Sequence, residues 1–143
     1  MSLGGWSIQY ASATGTGTFS MNVTSLSGTI APGQYYLVKL FSQAAVGAPL
    51  PTADATGTIN MSGTAGKVLV ANTTAGIACN GSSTPCDAAQ LAQMVDRVGW
   101  GNANFFEGAA LNKTQNVTTI NRYVWKPAVS VSYDISRIIP RSN

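Results

Sequence analysis

The sequence predicts an all-β domain, a sandwich or a barrel with at most one short helix, and three observations carry that expectation. Apolar residues alternate with polar ones in several short runs, the spacing of strands with one buried face. Gly, Pro, Asn and Ser clusters separate those runs at intervals too short for long helices. Thr, Ser and Asn fill 39 of the 143 positions and Gly another 15, a composition that favours strands and turns.

Trp6, Ile8 and Tyr10 alternate with Ser7 and Gln9, and after a Gly/Thr turn Phe19, Met21 and Val23 alternate with Ser20, Asn22 and Thr24. Both segments are expected as half-buried strands. Leu26 to Ile30 and Tyr35 to Leu40 flank Ala31-Pro32-Gly33-Gln34, in which Pro pre-sets the second turn position and Gly supplies the third, so the pair reads as strand-turn-strand. Residues 42 to 57 contain Pro49 and Pro51 and are expected as a loop. Thr58 to Met61 and Lys67 to Asn72, separated by Ser62-Gly63-Thr64-Ala65-Gly66, are expected as a hairpin. Only residues 87 to 94 invite a helix: Asp87 can cap the first turn, Gln90 completes a capping box, and Ala88, Ala89, Leu91 and Ala92 propagate it. Val95 to Trp100, Val117 to Trp125 and the alternating run from Val129 to Ser136 are the remaining strands.

Length and composition bound the function. A chain of 143 residues is a single domain, here residues 1–143, with no internal boundary or fixed-period repeat. Charged residues make up only 9%, so neutral polar groups must supply solubility. The absence of His removes imidazole from every catalytic or metal-binding scheme and most hydrolase designs with it. No Gly-x-Ser-x-Gly elbow is present, Gly63 to Lys67 departs from phosphate-loop spacing and has Val68 after the Lys, and Gly15-Thr16-Gly17 lies between strands. No acidic repeat supports Ca²⁺ binding. No metal or cofactor is therefore expected. A hydrolase would have to assemble Asp96 and Glu107 around a metal by the fold alone, and this is a remote alternative.

Cys79 and Cys86 bracket a run of turn formers that can bring the sulfurs within bridging distance, and a disulfide in an oxidising compartment is expected, with two buried thiols as the other reading. No charged leader followed by an apolar run opens the chain, and no segment approaches the roughly 20 apolar residues that span a bilayer. The six Asn-x-Ser/Thr triplets, beginning at Asn22, Asn60, Asn72, Asn80, Asn112 and Asn116, are read as a product of composition. Net charge is +3 and concentrated toward the C-terminus, where residues 97 to 143 hold six basic groups against Glu107 and Asp134. Arg97, Trp100, Phe105 and Phe106, with Lys113 and Arg122 nearby in sequence, interleave cations with aromatics as single-strand binders and carbohydrate sites do. The competing reading places these aromatics in the core and the arginines on buried carbonyls.

Several phrases together carry a family resemblance: Leu3-Gly4-Gly5-Trp6-Ser7-Ile8-Gln9-Tyr10-Ala11-Ser12-Ala13, Gly28-Thr29-Ile30-Ala31-Pro32-Gly33-Gln34-Tyr35-Tyr36-Leu37-Val38, Leu50-Pro51-Thr52-Ala53-Asp54-Ala55, residues 58 to 70, residues 79 to 86, and Val95-Asp96-Arg97-Val98-Gly99-Trp100-Gly101 through Phe106-Glu107-Gly108. Over residues 3 to 122 the chain resembles the lamin-tail domain in its bacterial form. The resemblance implies an immunoglobulin-like β-sandwich and a non-catalytic interaction or tethering module of a secreted or cell-surface protein, with a protein or surface partner. A weak nucleic-acid-binding accessory domain of an extracellular nuclease is the alternative. It also places Cys79 and Cys86 where bacterial members often carry a cysteine pair. Two departures stand out. Bacterial members usually have about two strands before the segment matching Leu3 to Trp6, and residues 123 to 143 diverge from the family's acidic ending. Val129 to Ile135 is expected to fill the vacant strand position, within a monomer or by exchange in a strand-swapped dimer.

Overall fold

The computed structural model describes residues 1–32, 34–41, 51–108, 120–124 and 129–133. In chain order the elements are β1 (Ser7–Ala11), a 3-10 turn (Phe19–Met21), β2 (Val23–Ser25), β3 (Tyr35–Lys39), β4 (Ala55–Thr56), β5 (Gly66–Ala71), α1 (Ala88–Gln93), β6 (Met94–Trp100), β7 (Ile120–Val124) and β8 (Val129–Tyr133). The protein is mainly β, as expected. One sheet is antiparallel, in the order β2-β1-β5-β6. The other has the order β4-β3-β8-β7, with β3 parallel to both its neighbours and β7 antiparallel to β8. The alternating C-terminal run thus enters a sheet of its own chain as an interior strand.

Alternation sorts the side chains by face. Ile8 and Tyr10 of β1, Val68 and Val70 of β5, and Val98 and Trp100 of β6 meet Tyr36 and Val38 of β3 in one buried cluster, completed by Leu3, Leu26, Ile30, Leu40, Ile59 and Met61. On the opposite face of the antiparallel sheet, Ala11, Leu69 and Ala71 pack with Phe19, Ile77 and Cys79. Every residue of β1 and β5 is consequently buried, where alternation alone predicts one wet face. The polar side of β1 serves as an anchor. Ser7 Oγ donates to the Thr73 carbonyl at 2.6 Å, and Gln9 Nε2 donates to the Ala75 carbonyl at 2.9 Å while its Oε1 accepts from the Ile77 amide at 2.8 Å. These bonds lay residues 73–77 across the sheet and satisfy side chains whose burial unpaired costs about 1–3 kcal/mol each.

Three local expectations are corrected. Phe19–Met21 is a 3-10 turn because the Phe19 and Ser20 amides donate to the Cys79 and Ile77 carbonyls; this buries Phe19 and leaves Met21 exposed. Leu26 to Ile30 does not form a hairpin with β3. Gly28, at φ +79°, breaks the strand, and its segment pairs instead with the N-terminus through Leu3 to Gly28 and Ile30 to Met1 hydrogen bonds. The turn itself closes, with the Gln34 amide donating to the Ala31 carbonyl; the role expected of Gly33 lies outside the described residues. Thr58 to Met61 is not a strand, because both edges of β5 are taken by β1 and β6, and the segment instead inserts Ile59 and Met61 into the core.

The expected loop 42–57 is described only from residue 51 and contains β4, docked where Asp54 accepts from the Leu37 amide at 2.7 Å. The helix forms as expected. Asp87 Oδ1 accepts from the Gln90 amide at 2.8 Å and Gln90 Oε1 from the Asp87 amide at 3.0 Å, a reciprocal capping box.

Candidate functional site

Residues 97 and 100 are an odd number of positions apart, so a strand points them to opposite faces. β6 does this. Trp100 is 3% exposed in the main core, its ring centroid 6.1 Å from that of Tyr10 in a stacked arrangement and its Nε1 donating to the Ser62 carbonyl at 3.0 Å. It is therefore a core residue and not a member of an exposed cluster. The stack leaves no room at Gly66, where a methyl group would come within 2.5 Å of the Trp100 ring and 2.8 Å of Tyr10.

Arg97 lies on the other face, half-buried, with its guanidinium carbon 4.7 Å from the centroid of the Phe105 ring. The Glu107 amide donates to the Arg97 carbonyl at 3.1 Å, which folds residues 102–107 back along β6. Phe105 packs against Phe19 at a centroid distance of 6.3 Å and against Gly81, whose positive φ of 74° and lack of a side chain permit the contact; a Cβ there would stand 2.1 Å from the ring. Phe106 is half-buried over Gly99. The fold thus brings Arg97, Phe105 and Phe106 together and adds Phe19, but separates Trp100 from them. Lys113 lies outside the described residues. Arg122 is described by its backbone, paired with Val131, which in turn pairs with Tyr36.

Cys79 and Cys86 form the expected disulfide, with Cα atoms 5.1 Å apart. Asn80 organises the loop between them. Its Nδ2 reaches the Gly15 carbonyl at 3.0 Å and Ser83 Oγ at 2.8 Å, and its Oδ1 accepts from the Ser82 and Thr84 amides at 2.9 and 3.0 Å. Asn80 is fully buried, so this triplet cannot present its amide for glycosylation without opening the loop. Asp96 is 4% exposed, on the core side of β6 with Val98 and Trp100, and accepts from the Arg97 amide at 2.9 Å; Glu107 is exposed beyond the strand. Among the described residues, no group of three or more His, Cys, Asp or Glu is placed to hold a metal ion.

A feature not singled out from sequence lies beside this cluster. Lys67, at 0% exposure in the middle of the antiparallel sheet, donates from Nζ to Asn104 Oδ1 at 2.8 Å. Asn104 Nδ2 donates in turn to Ser82 Oγ at 2.7 Å, in the disulfide loop. Burial lowers the Lys67 pKa from its ordinary 10.5, because the charged form loses hydration. The signal in the sequence is a lysine at the head of an otherwise apolar run, Lys67-Val68-Leu69-Val70-Ala71.

Among the described residues no helix is long and apolar enough to cross a membrane. No family model matches the chain, and neither a curated protein nor a solved structure matches it.

Proposed function

We propose that this chain is a non-catalytic interaction or tethering module of a secreted or cell-surface protein, an immunoglobulin-like β-sandwich of the lamin-tail type. One observation carries the reading over a nucleic-acid site: the aromatic and cationic residues best suited to grip a strand are engaged internally, Trp100 against Tyr10 and Arg97 over Phe105. A core drawing side chains from both sheets supports the sandwich, and the Cys79–Cys86 bond is compatible with an oxidising, extracellular setting. In this reading β8 completes the β4-β3-β8-β7 sheet from within one chain, as a monomer would, and a strand-swapped dimer is the other arrangement, distinguished by the mass in light scattering.

The test is a binding titration of the purified chain against isolated bacterial cell envelopes and against single-stranded and duplex nucleic acid, each across a range of salt. The expected result is saturable envelope binding that survives nuclease treatment, with no nucleic-acid binding at low salt. Nucleic-acid binding that weakens steeply with salt and with Arg97→Ala would replace this reading with the accessory-domain one. Metal-dependent nuclease activity lost in Asp96→Asn would establish an enzyme instead.

A further inference from the structure

We propose that Lys67 and Asn104 become joined in the folded protein by an intramolecular isopeptide bond between Lys67 Nζ and Asn104 Cγ. The juxtaposition has the features such a reaction needs. The amine sits on the central strand β5, fixed between β1 and β6 and fully buried. Its nitrogen lies 2.8 Å from Asn104 Oδ1, so the carbonyl carbon bonded to that oxygen is the nearest electrophile to the amine, and a small rotation of the Asn104 amide brings it to the roughly 3–3.5 Å from which attack proceeds. The target amide is held at both ends, by Nζ on its oxygen and by Ser82 Oγ on its nitrogen, while the Asn104 amide donates to the Ala13 carbonyl. Burial favours the neutral, nucleophilic form of the amine.

The step is an acyl transfer and needs no oxidant or co-reactant. The Nζ lone pair attacks Cγ and the carbonyl electron pair moves onto Oδ1. Collapse of the tetrahedral centre re-forms the carbonyl and breaks the Cγ–Nδ2 bond. The proton lost from Nζ is balanced by one gained at Nδ2, where the Ser82 hydroxyl stands 2.7 Å away to stabilise the departing nitrogen, and ammonia departs. Asn104 is exposed as a residue, so the leaving group has a direct path to solvent. The product closes residues 67–104 into a covalent loop around the Cys79–Cys86 disulfide and ties β5 to the segment carrying Phe105. This inference stands independently of the tethering role.

Mass spectrometry of the full-length, reduced protein tests it. The expected intact mass is below that of the sequence by one ammonia, and digestion yields a branched peptide linking Lys67 to Asn104. A succinimide at any Asn also loses ammonia, but it yields no branched peptide and is opened by hydroxylamine. Lys67→Arg and Asn104→Ala restore the full mass. Ser82→Ala keeps both reacting groups and slows conversion after refolding. An unmodified mass in folded protein, with trypsin cleaving after Lys67 and no branched peptide, overturns the proposal and leaves the contact a hydrogen bond.

Discussion

Replacement of Trp100 by Ala separates a core residue from a ligand-binding one. Burial of an aromatic side chain removes about 200 Å² from water, and at about 25 cal/mol per Å² this amounts to an upper bound of roughly 5 kcal/mol. Truncating buried aromatics to Ala costs about 3–5 kcal/mol, and here the Ser62 carbonyl also loses its indole donor. An unfolding entropy of about 2.1 cal/mol/K per residue over 143 residues makes each kcal/mol worth about 3 °C in Tm, so Trp100→Ala should lower Tm by about 10–15 °C. Arg97→Ala removes a half-exposed cation over one ring, worth about 0.5–1 kcal/mol, and should lower it by only about 2–3 °C. Calorimetric melting at fixed pH, with both variants beside the parent, reads the contrast. If Trp100→Ala melted within about 3 °C of the parent, the stacking with Tyr10 would not be a core interaction and the assignment of the two faces of β6 would fail.

Gly66→Ala drives a methyl group into the Trp100 and Tyr10 rings and should cost about 1–3 kcal/mol by overpacking, measurable as a fall in the midpoint of urea unfolding; an unchanged midpoint would show that the stack can move. Reduction of Cys79–Cys86, seven positions apart, should destabilise by at most about 2.5 kcal/mol, because Asn80 continues to hold the loop. Melting with and without reductant checks this, and loss of the folded state on reduction would refute the role given to Asn80. In Asn104→Ala, where Lys67 keeps a free amine, the folded pKa lies below 10.5, so between the two values the unfolded chain holds a proton that the native state has released. Stability should therefore rise with pH through that window, and below it the slope from this group should vanish while the cost of burying the charged amine is present in full. Adding Lys67→Met should abolish the rise, and a slope that survives that substitution would assign it to another group.

What could be read from the sequence was whatever neighbouring residues settle among themselves. The strand around Ile8 followed from period two, those around Tyr36, Val68 and Val98 from short apolar runs bounded by turn formers, the α1 cap from Asp87 and Gln90 three positions apart, and the disulfide from the turn formers between Cys79 and Cys86. The opposed faces of Arg97 and Trp100 are also legible, since three positions along a strand reverse a side chain and so divide this run of cations and aromatics between the two faces of β6. Other features depend on partners distant in sequence. Phe19–Met21 alternates as a strand does, yet the Phe19 and Ser20 amides are claimed by the Cys79 and Ile77 carbonyls; Ile59 and Met61 find both edges of β5 taken by β1 and β6; and Ser7 and Gln9 look solvent-facing until residues 73–77 are laid over them. Lys67 belongs to the same class, because a lysine reads as exposed unless the chain buries it. The sequence by itself determined the pleat, the caps and the turns, which depend on backbone sterics and hydrogen bonds over a few residues. Only the tertiary structure decided which faces are covered, which edges are taken and that Lys67 meets Asn104, because burial and long-range pairing depend on which distant segments share the same space.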